Sequence, residues 1–250
     1  MDIVYAIFAL LFGLIFGSFF NVVGLRVPNK ESIVTPPSHC TSCQRRLTAL
    51  DLIPVFSYIF LGGKCRGCGV KLSPIYLLTE FVTGILFSFA VWQLGITIET
   101  AVALFFISLL MIIVVSDITY MLIPDKILLF FLPFLVLGRI LSPLDNWWDS
   151  LLGAVVGFGI LLLIAVISKG GMGGGDIKLF FLIGLVLGTA NTLITLFLAS
   201  VIGMIAGIIV LKVRGQGRKN PVPFGPSIAL AAIIVYFYGE NMLDWYISLF

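Results

Sequence analysis

The chain consists mainly of long apolar runs separated by short polar segments. The runs are rich in Leu, Ile, Val, Phe and Ala and cover residues 3–23, 74–94, 100–116, 126–141, 150–167, 177–188, 191–211 and 227–246. About 20 apolar residues form a helix that crosses the hydrocarbon core of a bilayer, and helices satisfy their backbone polar groups internally. The pattern therefore predicts an all-α polytopic membrane protein with about eight transmembrane helices. Residues 188–191 are predicted to form a tight turn between a short span and the next one.

Composition excludes other classes of protein. Apolar residues make up 60% of the chain and charged residues 11%, whereas soluble domains have roughly 45–50% and about 25%. A soluble enzyme is therefore excluded, and the 22 Phe residues exclude a disordered chain. Continuous runs, in place of short alternating segments, exclude a transmembrane β-barrel.

The basic residues predict how the chain is oriented. With the N-terminus outside, the inner segments hold every Lys and Arg except Arg139, as expected for cytoplasmic loops. One continuous helix over 177–211 would instead move Lys212, Arg214, Arg218 and Lys219 outside. We therefore expect a multi-pass protein of the cytoplasmic membrane. Its predicted parts are a first transmembrane helix (1–25), a cytoplasmic four-cysteine module (26–73) and a membrane catalytic domain with seven further helices (74–250).

All four cysteines lie in that cytoplasmic segment, as Cys40-x2-Cys43 and Cys65-x2-Cys68. Two such knuckles are typical of a zinc ribbon, in which four thiolates surround Zn²⁺ as a tetrahedron. The cytosol is reducing and disfavours disulfides. The spacing predicts a structural zinc site that folds a segment too short to build its own core. Two disulfides, or a redox-active pair, remain the alternatives.

Three carboxylates lie at the predicted inner boundary of the membrane, where ionisable residues are candidates for function. Asp117 ends the third run, and Asp176 follows the glycine cluster 170–175, so both are expected at the same depth. Two carboxyls close together in a low dielectric share one proton, so one can activate water while the other polarises a carbonyl. Asp176 alone also fits a helix N-cap. Asp125, which follows Pro124, is predicted to cap the fourth helix.

A further carboxyl, Glu80, lies inside the second run. It is either an auxiliary functional group or a buried carboxyl that is hydrogen-bonded to a neighbouring helix.

Five segments together carry a resemblance to a known family. They are Gly17-Ser18-Phe19-Phe20-Asn21 with Arg26-Val27-Pro28, the paired cysteine knuckles, Asp117 with Ile123-Pro124-Asp125, Gly173-Gly174-Gly175-Asp176-Ile177-Lys178, and Pro223-Phe224-Gly225-Pro226. In this order they resemble the motifs of the type IV prepilin peptidases, which are bacterial membrane aspartyl proteases of the GxGD class. The segments 131–134 and 140–145 resemble the competence-associated branch of Bacillus-like bacteria.

The resemblance implies that Asp117 and Asp176 are the catalytic pair and that Asp125 lies outside the site. The glycines Gly173, Gly174 and Gly175 would leave room for the substrate. That substrate would be a type IV prepilin or competence pseudopilin, cleaved after a Gly that follows its short basic leader, at the cytoplasmic boundary. Many relatives also methylate the new N-terminal amine with S-adenosylmethionine, but the sequence contains no nucleotide-binding fingerprint.

Two other functions fit parts of the pattern. A proton-coupled transporter could use the two aspartates as a relay, although transporters usually place such groups near the bilayer midplane. A non-catalytic scaffold for pilus assembly would leave the paired aspartates unexplained. The expected partners are the prepilin substrates and the lipid bilayer. The net charge of +3 gives no reason to expect a nucleic acid.

Overall fold

A computed structural model describes residues 2–169, 171–214 and 222–248 of the chain, and this part contains helices and no β-strand. The helices are α1 (Asp2–Arg26), the 3-10 helix η1 (Ala49–Leu52), α2 (Phe56–Phe60), α3 (Pro74–Leu94), α4 (Ile98–Tyr120), α5 (Asp125–Leu141), α6 (Asp149–Ile167), α7 (Gly174–Arg214) and α8 (Gly225–Ile247). The all-α prediction is therefore confirmed. Arg218 and Lys219, which contributed to the predicted orientation, lie outside the described residues.

Among the described residues, 6 helices are long and apolar enough to cross a membrane. They are α1, α3, α4, α6, α7 and α8. A multi-pass membrane protein is thus confirmed, while the count of eight spans stays a prediction. The six candidate helices are fewer than the eight predicted spans for two reasons. The helix α5 has only 17 residues, and α7, with 41 residues, includes two of the predicted runs.

The chain forms two compact units, residues 1–115 and 116–250. In the first unit, α1 and α3 pack antiparallel through glycines: Gly13 lies against Gly84, and Gly17 lies against Glu80. A Cβ on Gly17 would come within 2.7 Å of the Glu80 Cα atom, so the two backbones are in direct contact. Small residues allow this close approach between helices in lipid, where no hydrophobic effect drives them together.

In the second unit, α7 packs against both α6 and α8. A Cβ on Gly157 of α6 would lie 2.7 Å from the Phe180 carbonyl of α7. Further along α7, Gly203 lies against Phe224, and Asn191 lies against Gly239, so this part of α7 runs antiparallel to α8.

Gly188 divides α7 into two helical segments. Its φ of 76° and ψ of −179° belong to a conformation that is almost restricted to glycine. The Arg139 Nε donates to the Val186 carbonyl at 2.9 Å. The Asp149 carboxylate accepts from the Thr189 N–H at 3.2 Å and from its hydroxyl at 2.6 Å. A cation thus lies at the C-terminus of one segment and a carboxylate at the N-terminus of the next, where each complements the helix dipole.

The predicted turn is therefore in the right place but shorter than predicted. Of the predicted turn residues 188–191, Gly188 alone has a non-helical conformation. The Asp149 carboxylate satisfies the first backbone donor after the break, and this allows the helix to restart at once.

We expect Gly188→Ala to destabilise the protein, because alanine is strained at this φ and its Cβ would meet the Asp149 carboxylate. Such strain costs about 1–3 kcal/mol. Thermal unfolding of the purified protein in detergent measures the effect. Gly159→Ala in α6 is the matched control, since a Cβ there meets nothing within 4 Å. Equal melting temperatures for the two variants would contradict the role given to Gly188.

Candidate active site

Asp117 lies in the last turn of α4 and is buried, with 6% of its surface exposed. The backbone N–H of Gly225, the first residue of α8, donates to its Oδ2 at 2.7 Å. A Cβ on Gly225 would come within 2.8 Å of the same oxygen, so only glycine fits here without a shift. The N-terminus of a helix carries unpaired N–H groups and a partial positive charge, and both favour an anion. The start of α8 therefore supports a negative charge on Asp117.

Asp176 is the third residue of α7 and is partly buried. Its N–H donates to the Gly173 carbonyl at 3.2 Å, and its carboxylate accepts from the Gly173 backbone. This contact lies at the helix start and resembles half of a capping box. The capping alternative and a place in the site are thus compatible. The carboxyl of Asp176 lies within electrostatic range of Asp117, so the structure brings together the two aspartates that the sequence singled out.

The segment between α4 and α5 folds back over the end of α4. The Met121 N–H donates to the Asp117 carbonyl at 2.9 Å, and the Ser116 hydroxyl donates to the Leu122 carbonyl at 2.5 Å. Met121 has a φ of 53°, in the left-handed region that non-glycine residues rarely adopt. The turn places Ile123 against Gly175, where a Cβ would lie only 2.6 Å from the Ile123 Cβ.

The three glycines before Asp176 therefore differ in their surroundings. Gly175 is packed against Ile123, which explains the absence of a side chain there. A Cβ on Gly174 would meet nothing within 4 Å, and one on Gly173 would meet only the Asp176 carboxyl. Open space thus adjoins Asp176 at Gly173 and Gly174. The assignment of Gly173, Gly174 and Gly175 to substrate binding stays a prediction.

Asp125 does not cap α5 as predicted. The N-cap position is Pro124, and Asp125 is the first residue of the helix. Both of its carboxylate oxygens accept from the Lys178 Nζ, at 2.8 and 2.7 Å, and more than half of each side chain is exposed. Residues two apart on a helix point in different directions, so Lys178 and Asp176 lie on different faces of α7. The capping prediction failed because the partner of Asp125 comes from a distant part of the chain.

The four cysteines form a compact cluster with all Sγ atoms within 4.8 Å of one another. The Cys40 and Cys68 sulfurs are 3.8 Å apart, and the Cys43 and Cys65 sulfurs are 4.0 Å apart. Zn–S bonds of about 2.3 Å in a tetrahedron give sulfur–sulfur distances of about 3.8 Å. These cysteines are free thiols, so the disulfide alternative is not observed. The cluster fits a tetrahedral thiolate metal site.

The two knuckles share one backbone pattern. In the first, the Cys40 N–H donates to the Arg45 carbonyl and the Gln44 N–H donates to the Cys40 carbonyl, both at 2.9 Å. In the second, the Cys65 N–H donates to the Val70 carbonyl and the Gly69 N–H donates to the Cys65 carbonyl, again both at 2.9 Å. Gln44 and Gly69 occupy equivalent positions, with φ values of 56° and 71°.

The surroundings of the thiols favour bound metal. The N–H groups of Cys43 and Ser42 lower the pKa of Cys40, and those of Cys68 and Gly67 lower the pKa of Cys65 to about 6. The Arg45 N–H also lowers the pKa of Cys43. Desolvation and the adjacent thiols together outweigh this effect and raise the pKa of Cys43 to about 11. Four thiolates at this spacing repel one another, so all four ionise together only around a cation.

Asp51 forms ion pairs with both knuckles. Its carboxylate lies 3.1 Å from Arg45 of the first knuckle and 3.1 Å from Arg66 of the second. Hydrogen bonds from the backbone and hydroxyl of Thr48 lower the pKa of Asp51, so it stays ionised at neutral pH.

Sequence reasoning missed two contacts. The Gly225–Asp117 bond joins residues 108 positions apart, and its only local signal is a Gly-Pro pair at the start of a helix. The other contact involves Glu80, which accepts from the backbone N–H of Val55 at 2.7 Å. The side chain of Ser18 on α1 also hydrogen-bonds to Glu80, so the predicted bond to a neighbouring helix is present and the contact with Val55 is additional.

Comparisons with known proteins indicate the family of the chain. A model of the bacterial peptidase A24 N-terminal domain matches residues 11–94, and a model of the type IV leader peptidase family matches residues 104–208. No solved structure matches the chain.

Several curated relatives match almost from end to end. A prepilin leader peptidase/N-methyltransferase from Bacillus subtilis (strain 168) is 46% identical over 239 residues, which cover 96% of both chains. Proteins with the same name from Pseudomonas putida and Aeromonas hydrophila are 33% and 32% identical, and the matches cover 94% and 96% of this chain and 91% and 93% of theirs. Because the two family models lie in successive parts of the chain and the relatives span nearly all of it, this protein belongs to the type IV leader peptidase family and is a peptidase.

Proposed function

We propose that the protein is a membrane aspartyl endopeptidase that removes the short basic leader of type IV prepilins or competence pseudopilins, cleaving after Gly at the cytoplasmic boundary. The observation that carries the proposal is the convergence of Asp117, Asp176 and the Gly225 N–H from three separate helices. The names of the relatives support prepilins as the substrate class. Family membership favours a peptidase over the transporter and scaffold alternatives.

The arrangement suggests how the reaction would divide between the two carboxyls. Asp117, whose negative charge the Gly225 N–H stabilises, takes a proton from a water molecule. The water oxygen then bonds to the scissile carbonyl carbon, while protonated Asp176 donates to the carbonyl oxygen. When the intermediate collapses, the C–N bond breaks and Asp117 passes its proton to the leaving amine, while Asp176 takes back a proton from the hydroxyl that becomes the carbonyl of the new carboxyl group. The pair thus ends with one proton, as it began, and it titrates as a unit.

The path of α7 supports the eight-span count. The Asn191 end of its second segment lies beside Gly239, near the end of α8, whereas its Gly203 region lies beside Phe224, next to the start of α8. The second segment therefore returns toward the level of Gly225 and Asp117. Two spans joined at Gly188 keep Lys212 and Arg214 on the side of the aspartates, which is the predicted cytoplasmic side.

The names of the relatives pair leader peptidase with N-methyltransferase. This supports, as a second activity, transfer of a methyl group from S-adenosylmethionine to the new N-terminal amine. The cysteine cluster would hold a structural Zn²⁺ with all four positions filled, and so supplies no open site for catalysis.

Asp117→Asn and Asp176→Asn are each expected to reduce cleavage at least about 10³-fold, because an amide can neither accept a proton from water nor donate one as a carboxylic acid does. The test uses purified protein, a synthetic prepilin, and mass spectrometry, which also reports any added methyl group. Membrane insertion should persist in both variants. Normal processing by either variant would refute the catalytic pair.

Asp125→Asn is the matched control, since it removes a carboxylate from the same segment. It should keep substantial activity, because the pair with Lys178 is more than half exposed and such pairs contribute about 0–1 kcal/mol. The same mass-spectrometric assay measures it. Complete loss of cleavage would show that Asp125, not Asp117, is the first catalytic residue.

Cys40→Ser should lower the zinc content of the purified protein, because it removes one of four converging ligands. Its abundance in the membrane should also fall, since metal binding contributes to folding of the module. Elemental analysis measures the metal, with Ser42→Ala in the same knuckle as the control. Unchanged zinc in the Cys40 variant would exclude the predicted site.

A further inference from the structure

The cysteine module exposes a set of large apolar side chains between its two knuckles. We call these residues the apolar ridge: Leu50, Leu52, Ile53, Phe56, Ile59 and Phe60. The side chain of Phe60 is 85% exposed, and Leu50 and Ile59 are each 61% exposed. Contiguous exposed apolar surface of this kind marks an interaction site with a protein or a membrane.

Part of the ridge lines a groove of ≈ 280 Å³. Its walls include Leu50, Ile53, Phe56 and Phe60, and Arg66 lies at its margin. The Arg66 side chain is 45% exposed, and its Nε pairs with the Asp51 carboxylate at 3.1 Å. The groove therefore combines apolar walls with a cation at its edge.

The contact between Val55 and Glu80 indicates how deep the ridge lies. Glu80 is six residues beyond Pro74, which corresponds to about 9 Å along the axis of α3 from the start of that span. Helix side chains lean toward the N-terminus, so the carboxylate reaches back toward the membrane boundary. Val55, which donates to it, lies near the level of the first turns of α3. Ile53 and Phe56, the ridge residues nearest to Val55 in the chain, are thus close to the bilayer.

The same unit carries apolar surface on α3, the helix that holds Glu80. The outward side chains of α3, among them Leu78 and Phe81, are 56% and 50% exposed and apolar, as expected for residues that contact lipid. We propose that the apolar ridge is embedded in the interfacial layer of the bilayer and that its partner is phospholipid. The groove takes acyl-chain carbons and the Arg66 guanidinium binds a lipid phosphate. The module is then anchored to the membrane and is not a free cytosolic domain.

Photocrosslinking in phospholipid nanodiscs tests this inference. p-Benzoylphenylalanine in place of Phe60 is close to the native side chain and, on irradiation, inserts into nearby C–H bonds. The matched control carries the same amino acid in place of Gln44, which is exposed at the turn of the first knuckle. We expect phospholipid adducts at position 60 in at least about fivefold excess over position 44, by mass spectrometry of the intact protein.

A second measurement uses Phe60→Trp in vesicles that contain brominated phospholipid. Quenching of the added tryptophan, relative to the parent chain, is expected when the ridge lies in the bilayer. Lipid adducts at position 60 no more frequent than at position 44, or adducts with a second copy of the chain or a co-reconstituted prepilin in place of lipid, would overturn the proposal. So would the absence of added quenching. Neither readout depends on peptidase activity.

Discussion

The arrangement of the second unit depends on one hydrogen bond, from the N–H of Gly225 to the carboxylate of Asp117. A buried carboxylate in a helical membrane protein needs a donor, and helices offer unpaired N–H groups only in their first turn. For Asp117 the start of α8 supplies this donor at the end of α4. Glycine is required at the contact because a Cβ would displace the carboxyl that the helix stabilises.

Much of the fold could be predicted from the sequence because membrane helices follow local rules. A continuous apolar run must be helical in lipid, and Gly188 between two runs marks a break. The two CxxC pairs likewise specify a cluster, because four thiols at that spacing suit one tetrahedral ion. In these cases the residues that determine the structure lie within about 30 positions of one another or form a chemically specific pattern.

The contacts that could not be predicted join distant parts of the chain. Asp125 follows Pro124, which locally favours a cap, but its carboxylate binds Lys178, 53 residues away. Glu80 could be recognised as unusual within an apolar run, yet nothing local indicates that the backbone of Val55 is one of its partners. Single helices can thus be predicted from the local composition of the chain. The partners of polar side chains cannot, because they depend on which helix ends lie next to one another.

The break at Gly188 has a consequence for the surrounding lipid. The segment of α7 that contains Asp176 starts at Gly174 and has only about 14 residues before the break, a length of about 21 Å, against a hydrocarbon thickness of about 30 Å. Next to it, α5 with its 17 residues is also short. In the proposed eight-span topology, the bilayer becomes thinner around these two helices or the carboxyls sink below its surface. Either adjustment gives water a shorter path to a peptide bond that would otherwise be shielded by lipid.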